Sequence, residues 1–480
     1  MASIEELREA REKKIELLKK ADMDPYTAKS FRTHTIKEIV DNFDLIKNEI
    51  TLAGRVLSLR GQGGLIFFNF NDGNGVFQGL VKKEDTKDFN LFKDAIDIAD
   101  FIEITGKLFT TKRGEKTLQV SSWRILTKAL LPLPDKYHGL QNIEERFRKR
   151  YLDILTSPEL KEIFIKKEKF WNSIRNFMKE NNFMEVETPT LEITTGGAEA
   201  NPFKTYHKDF DLDVFLRISV GELWQKRLMA AGFSKTFEIG RIYRNEGSSP
   251  EHLQEFTNME FYWAYANYRD GMKLTQKMIQ RVAEEVFGTM KFKTKGYEFD
   301  LSGEWPVIEY QQEVLKQTGI DILKATEEEM KEKLDQLKVK YDGDNRERLM
   351  DTLWKYCRRN ISGPVFLIHH PKIVSPLSKS LKDNPELTER FQVILAGSEI
   401  ANGFSELNDP IDQRERFNLQ QELIDRGDTE AMMPEWEFVE MLEHGMPPTC
   451  GLGLGERLFS FLVDMPVRET QLFPLMRPKE

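Results

Sequence analysis

The stretch from Thr236 to Ala266, TFEIGRIYRNEGSSPEHLQEFTNMEFYWAYA, constrains what this chain can fold into more than any other. Two alternating, aromatic-rich runs, Phe237–Asn245 and Phe256–Tyr265, flank a polar loop containing Gly247 and Pro250, which is the pattern of a long antiparallel hairpin. Successive strand side chains point to opposite faces, so Phe256, Glu260 and Tyr262 share one face of the second strand, and Glu238 and Arg244 share one face of the first. A cation, a flat aromatic, a carboxylate and a phenol are thereby gathered on one sheet surface. In that setting an arginine forks onto a phosphate or carboxylate, and a phenyl ring stacks on a base. Taken in isolation, the same residues read as a surface ion pair, Arg244 with Glu246, beside a core phenylalanine, Phe256.

The whole string resembles the second signature motif of the class II aminoacyl-tRNA synthetases, and of the lysyl-tRNA synthetases in particular, over nearly all of the chain. The resemblance implies an α+β protein: an N-terminal OB-fold β-barrel, then a class II catalytic domain built on an antiparallel sheet flanked by helices. It further implies a chemistry in which ATP activates L-lysine for transfer to tRNA(Lys), with Mg2+ on the phosphates. Arg244, Glu246, His252 and Phe256 are the matching ATP-binding positions, and Arg244 is a catalytic one. In the loop, Glu251 and Leu253 replace an arginine and an asparagine common in the family, removing two ATP contacts.

At 480 residues the chain has room for two or more domains, and 40% hydrophobic against 31% charged residues is the balance of a soluble globular protein. No run of about 18 apolar residues is present to span a membrane. The charged N-terminus, MASIEELREAREKK, has no signal-peptide core, which makes the cytoplasm the expected location. Cys357 and Cys450 stand far apart, supporting neither a disulfide framework nor a cysteine zinc site. A net charge of −9 argues against nucleic-acid binding by overall positive charge and leaves room for local basic patches.

Residues 1–45 read as a helical extension. Ser3 with Glu6 forms a capping-box pattern, and Lys13, Lys14, Lys19 and Lys20 on the following helix either touch a phosphate backbone or face solvent. Residues 46–130 break into five short strands with glycine turns and a helical insert near Lys87–Ile96, the pattern of an oligonucleotide-binding barrel. Of Phe67, Phe68 and Phe77, two are expected in its core; an exposed one would stack on an unpaired base. The resemblance places Arg60, Phe67, Gln78 and Glu115 at the anticodon, and Trp123 stands where a glutamate is common, so that one edge of that pocket is left open. Residues 131–150 form a linker stiffened by Pro132 and Pro134, in which Arg146, Arg148, Lys149 and Arg150 follow in a helix expected to pack on the barrel.

Residues 151–480 are the expected catalytic domain, with a helical insertion at about 268–365 in which no chemistry is evident. The helix from about Pro158 to Asn181, the following strand and Pro189 resemble the first class II motif, which implies a homodimer. Gly197, Ala198 and Glu222 match positions that meet the α-ammonium of the amino acid, although the chain carries one extra residue, Val220 or Gly221, just before Glu222. In FQVILAGSEIANGFSELNDPIDQRERF, a strand pair and a helix, Asn402, Phe404 and Glu406 share a face, and the matching family positions form the side-chain pocket with Tyr262 and Glu260. An ε-ammonium buried without a carboxylate would cost several kcal/mol, so Glu406 supplies the charge and Phe404 the apolar wall. Glu399 matches a magnesium ligand, whereas Gln392 stands where a second glutamate is usual. PPTCGLGLGERLFSF resembles the third motif; Arg457 is the candidate for the γ-phosphate, although Gly455 adjoins Glu456 directly, so that either one apolar residue is missing or the glycines are out of register. Two alternatives share these features: an aspartyl- or asparaginyl-type synthetase, and a catalytically weak RNA-binding paralogue.

Overall fold

The computed structural model describes residues 3–134, 139–196, 200–247, 249, 252–341, 343, 345–426 and 432–479. The chain divides into two compact units after Thr156.

The first unit opens with the helix Ile4–Lys20, whose reciprocal cap between Ser3 and Glu6 satisfies two backbone N–H groups. Lys14 Nζ pairs with Asp97 Oδ1 at 2.7 Å, and the Arg11 guanidinium donates to the Ala129 and Leu131 carbonyls at 3.0 Å each. Lys14 therefore holds the helix down rather than reaching outward, while Lys13, Lys19 and Lys20 remain exposed. Strands β1 (Ile50–Gln62), β2 (Leu65–Asn71), β3 (Val76–Lys82), β4 (Phe101–Thr110) and β5 (Lys116–Thr127) close into a barrel in the order β1-β2-β3-β5-β4. The β3–β5 pair is parallel and the rest antiparallel, the closure of an OB-fold.

Phe68 and Phe77 fill the barrel, and Phe67 lies half-buried on the outer surface opposite Arg60. Gln78, one strand over, has its side-chain carbonyl held by the Thr117 hydroxyl at 2.8 Å, and the same hydroxyl reaches the Glu115 carbonyl at 3.2 Å. Trp123, standing where a glutamate is common in the family, points inward. Its ring meets Phe92 edge-on at 5.1 Å and its Nε1 donates to the Lys87 carbonyl at 3.1 Å, so it is core rather than the edge of a base pocket. The reason is a bulge: Thr105 pairs with Ser122 but Gly106 with Val120, and the extra residue turns the inward set from Leu118 and Val120 to Trp123 and Ile125. After the barrel, Ile143–Arg148 and Arg150–Thr156 form two short helices instead of one. Their arginines are taken up locally: Arg146 and buried Arg150 reach Asp153 at 3.1 and 2.8 Å, and Arg148 reaches Glu144 at 2.6 Å.

The second unit is organised by one eight-stranded sheet. Its strands are β6 (Met184–Glu185), β7 (Lys235–Tyr243), β8 (Glu255–Ala264), β9 (Val307–Glu309), β10 (Val365–Ile368), β11 (Arg390–Leu395), β12 (Ser398–Ser405) and β13 (Thr449–Gly455), in the order β9-β10-β11-β12-β13-β8-β7-β6. The predicted hairpin is β7–β8, paired without interruption from Lys235–Trp263 to Tyr243–Glu255. Alternation sorts the two faces. Phe237, Met259, Phe261, Leu452, Leu454, Phe391 and Val393 join Phe170, Ile174, Phe177 and Met178 of the long helix Pro158–Glu180 in the largest core cluster. Each such side chain removed from water contributes about 1.5–3 kcal/mol, which anchors the sheet by one face and leaves the other for polar groups.

The region after Tyr268 contains the expected helices, among them Glu327–Gln336, capped by Thr326 and Glu329 and buried through Met330 and Leu334. It also holds a hairpin, Lys291–Thr294 with Tyr297–Asp300, and the strand β9, which joins the sheet edge parallel to β10.

Candidate active site

The polar face of the sheet is ordered by register. Across β11, β12, β13, β8 and β7, Gln392, Asn402, Gly453, Glu260 and Glu238 form one row, and Arg390, Phe404, Gly451, Tyr262 and Thr236 form the next. The sequence TCGLGLG places Gly451, Gly453 and Gly455 on this face and Leu452 and Leu454 in the core. The middle strand is therefore bare, and the walls on either side lean over it. A Cβ on Gly451 would lie 2.2 Å from Glu406 Oε1 and 2.6 Å from the Tyr262 ring, so only glycine allows both side chains to stand where they do.

Above this trough lies a cavity of about 550 Å³. Glu222, Arg244, Glu246, His252, Phe256, Glu260, Tyr262, Gln392, Glu399, Asn402, Phe404, Glu406 and Arg457 all line it. Gly197 and Ala198 lie outside the described residues. The anticodon candidates Arg60, Phe67, Gln78 and Glu115 belong to the first unit, on its barrel.

Each side chain is set by a local reason. Gly221 takes a left-handed backbone (φ +68°), close against Thr188, and absorbs the extra residue before Glu222. Glu222 then starts the helix Glu222–Ala230 inside the cavity, while the Val220 N–H turns to donate to Glu260 Oε1 at 2.8 Å. Glu260 also accepts from Asn258 Nδ2 at 3.1 Å and from the Tyr262 hydroxyl at 3.2 Å. Glu238 is drawn instead into scaffolding, with Arg217 at 2.6 Å and the Thr188 hydroxyl at 2.6 Å. Arg244 sits just past the end of β7, 5.6 Å from the Phe256 ring centroid, with Nε and Nη2 donating to the Ile218 carbonyl at 3.4 Å each. No ion pair with Glu246 forms among the described residues. His252 bonds the Ser249 hydroxyl at 2.8 Å across the loop.

Despite the shortened third motif, Arg457 reaches the cavity: its Nη1 donates to the Glu399 carbonyl at 3.2 Å, and the preceding Glu456 is buried against Lys167 at 2.8 Å. The helix it opens, Arg457–Leu462, is one and a half turns long, so the guanidinium and not the helix end carries the positive charge.

Burial dominates the electrostatics. It pushes Glu406 up to about 8, against the pull of Lys226, and Glu260 up to about 7, with Glu222 adding to the effect. Burial raises Tyr262 well above the usual phenol range, and the surrounding carboxylates raise it further. Burial lowers Arg244, with Glu246, Glu260, Glu399 and Glu222 opposing.

Several residues here were not picked out from the sequence. Lys226 pairs with Glu222 at 3.0 Å and Glu406 at 2.6 Å; its position four residues after Glu222 on one helix face was the available signal. Arg390 orients Asn402 through an Nε–Oδ1 bond of 2.8 Å. The insertion, in which no chemistry was evident, sends the helix Arg346–Arg358 to the site: its Arg348, Asp351, Lys355 and Arg358 line the same cavity. Their three- and four-residue spacing puts them on one stripe, legible in the sequence as a charged helix face.

A carboxylate-lined pocket and a guanidinium–phenyl pair share one antiparallel floor, and the fold joins this to an OB-fold barrel: together they define a class II aminoacyl-tRNA synthetase. The family model described as tRNA synthetases class II (D, K and N) matches residues 142–477, and that of the OB-fold nucleic acid binding domain matches residues 50–126. Relatives named lysine–tRNA ligase are 41% identical in Thermotoga maritima (99% of this chain, 97% of the relative), 40% in Carboxydothermus hydrogenoformans (99% and 99%) and 39% in Bacillus subtilis (98% and 97%). The chain belongs to the lysine–tRNA ligase family.

Proposed function

We propose that this protein activates L-lysine with ATP and transfers the lysyl group to tRNA(Lys). The observation that carries the reading is the placement of Glu406, Tyr262 and Glu260 beside Arg244 and Phe256 over one bare strand. The matched family model spans three amino-acid specificities, and the pocket chooses among them: buried carboxylates pair with an ammonium and repel the side chain of aspartate. Neither the aspartyl- or asparaginyl-type reading nor the inactive paralogue is favoured by this lining.

In the proposed reaction a lysine carboxylate oxygen attacks the α-phosphorus as the bond to the β-phosphate breaks, giving lysyl-adenylate and pyrophosphate; a terminal ribose hydroxyl of the tRNA then takes the lysyl group and releases AMP. The nucleophile is already ionised, so no general base is needed and the protein acts by positioning and electrostatics. Arg244 bridges the carboxylate and the α-phosphate, Phe256 stacks on adenine, Glu246 and His252 flank the nucleotide, and Arg457 takes the γ-phosphate. Glu222, with Gly197 and Ala198, receives the α-ammonium. Glu406, Tyr262, Asn402 and Phe404 enclose the side chain.

Glu399 and Gln392 are the residues that would hold Mg2+. Gln392 Nε2 donates to Glu399 Oε2 at 2.7 Å, and its Oε1 is a buried amide oxygen beside His370 with no partner at hydrogen-bond geometry among the described residues. Among the described residues no group of three or more His, Cys, Asp or Glu side chains gathers as a metal site, so phosphate oxygens and water would complete the shell. Held there, the ion would neutralise phosphate charge. One glutamate fewer than usual means weaker attraction, and Gln392→Glu is expected to lower the magnesium concentration for half-maximal exchange several-fold. An unchanged requirement counts against the assignment.

Amino-acid-dependent ATP–pyrophosphate exchange across all amino acids tests the activity: lysine alone should support it, and exchange with aspartate or asparagine instead would overturn it. For the barrel, Phe67→Ala removes a stacking platform worth roughly 1–3 kcal/mol per base. The KM for tRNA should rise at least about five-fold, and an unchanged value would remove Phe67 from the anticodon site. A homodimer built on the helix Pro158–Glu180 and the segment around Pro189 is proposed as well; light scattering should read about twice the 56.1 kDa chain mass. No helix among the described residues is long and apolar enough to cross a membrane, and the cytoplasm is the proposed location.

A further inference from the structure

We propose that Lys226 is the resident counter-ion of the amino-acid pocket: it holds Glu406 and Glu222 in place while the pocket is empty, and it sets the pocket's charge to match a substrate with two ammonium groups. This positioning role rests on the lysine reading above. Lys226 lies one turn after Glu222, its Nζ 3.0 Å from Glu222 Oε1 and 2.6 Å from Glu406 Oε2. The residue is 1% exposed, and its ammonium sits 5.3, 5.9 and 5.7 Å from the ring centroids of Phe404, Tyr262 and Phe438. Facing this centre are Glu222 from its own helix, Glu260 and Tyr262 from β8 and Glu406 beyond β12, while the helix Trp436–His444 presents the Phe438 ring.

Three carboxylates, Glu222, Glu260 and Glu406, against the one ammonium of Lys226 leave two negative charges when all are ionised. The α- and ε-ammonium groups of lysine supply two positive ones, and its carboxylate is the group left for Arg244. Without Lys226 the buried carboxylates would take up protons, which the substrate would have to displace. Burial already holds Glu406 at about 8 and Glu260 at about 7 with Lys226 in place, so the pocket is near that limit.

The experiment compares wild type, Lys226→Met and Lys226→Arg in lysine-dependent exchange from about pH 6.5 to 9, with calorimetric titration of lysine in buffers of different ionisation enthalpy. Wild type should release protons on binding lysine near pH 7. Lys226→Met should raise the lysine KM at least about 10-fold at pH 7, the equivalent of one further unit of carboxylate pKa, with a smaller change in kcat and a gap that narrows toward pH 9. Lys226→Arg should keep the wild-type pH dependence. An unchanged or lowered KM in Lys226→Met would show the lysine to be filler or a competitor, and parallel pH profiles would show a merely structural role; either overturns the proposal. Should the Met variant not fold, absence of proton release in wild type, or a displacement of the Arg variant's exchange profile toward higher pH than wild type, overturns it equally. A wild-type protein without lysine-dependent exchange would sink the lysine assignment itself, a result distinct from any confined to the variants.

Discussion

Arg244→Ala is expected to lower lysine-dependent ATP–pyrophosphate exchange by on the order of 10²–10³-fold, mainly in kcat. Among the described residues the Arg244 guanidinium donates to one carbonyl, that of Ile218, by two long contacts of 3.4 Å. Its guanidinium is therefore held in position without a direct ion pair among the described residues, and it feels the carboxylates Glu246, Glu260, Glu399 and Glu222 around the cavity. Removing it takes away the guanidinium beside Phe256 that balances the charge building on the α-phosphate as the carboxylate closes in. A lysine at this position would restore a point charge but not the two-pronged geometry, so Arg244→Lys should recover a minor fraction of the rate. A loss smaller than about 10-fold in the alanine variant, with the ATP KM unmoved, would remove Arg244 from the reaction.

Glu406→Gln should reduce kcat/KM for lysine by on the order of 10²-fold or more, since taking away one partner of a buried ion pair costs about 3–5 kcal/mol and the amide returns part of that as a hydrogen bond. The substitution also strands Lys226, whose charge would be left with Glu222 alone on this side of the pocket. A pH signature follows from the direction of the shift. Glu406 is raised to about 8, so in the free protein it is protonated below that pH and ionised above it. The wild-type kcat/KM for lysine should therefore climb between about pH 6 and 8, and the glutamine variant should lose that limb. A lysine KM that does not change on substitution would contradict the pocket assignment, whatever happens to the pH profile.

Much of this arrangement is readable from period-two alternation. Phe256, Glu260 and Tyr262, and likewise Asn402 and Phe404, need no more than strand geometry to share a face, and they do so across paired strands. What alternation cannot supply is register between strands distant in sequence. That Gly451 and Gly453 fall between those two sets depends on pairings separated by roughly 50 to 190 residues, set by the Leu452 and Leu454 core contacts. The bulge at Ser121 shows the opposite failure, since a single unpaired residue moves Trp123 from surface to core and no composition signal announces it. Glu238 was legible in position but not in purpose: it lies on the polar face, yet Arg217, far from it in sequence, claims it for the scaffold. The charged stripe of the helix Arg346–Arg358 had a periodicity to be seen, but which side it turned to was decided by Leu349, Met350, Leu353 and Trp354 packing into a separate core.

The bare middle strand also governs how this receptor tolerates change. Hydrogen atoms on three α-carbons have no rotamers, so the floor cannot rearrange to admit a bulkier guest or close on a slimmer one; selectivity by size is built in before any wall residue moves. A methyl group added there acts according to depth: at Gly451 it would strike Glu406 and Tyr262 outright, whereas at Gly453 and Gly455 the nearest atoms are 3.5 and 3.4 Å away. Drift in the reach of the amino-acid end is thus barred at one point of the strand, while the nucleotide end keeps room for small adjustments.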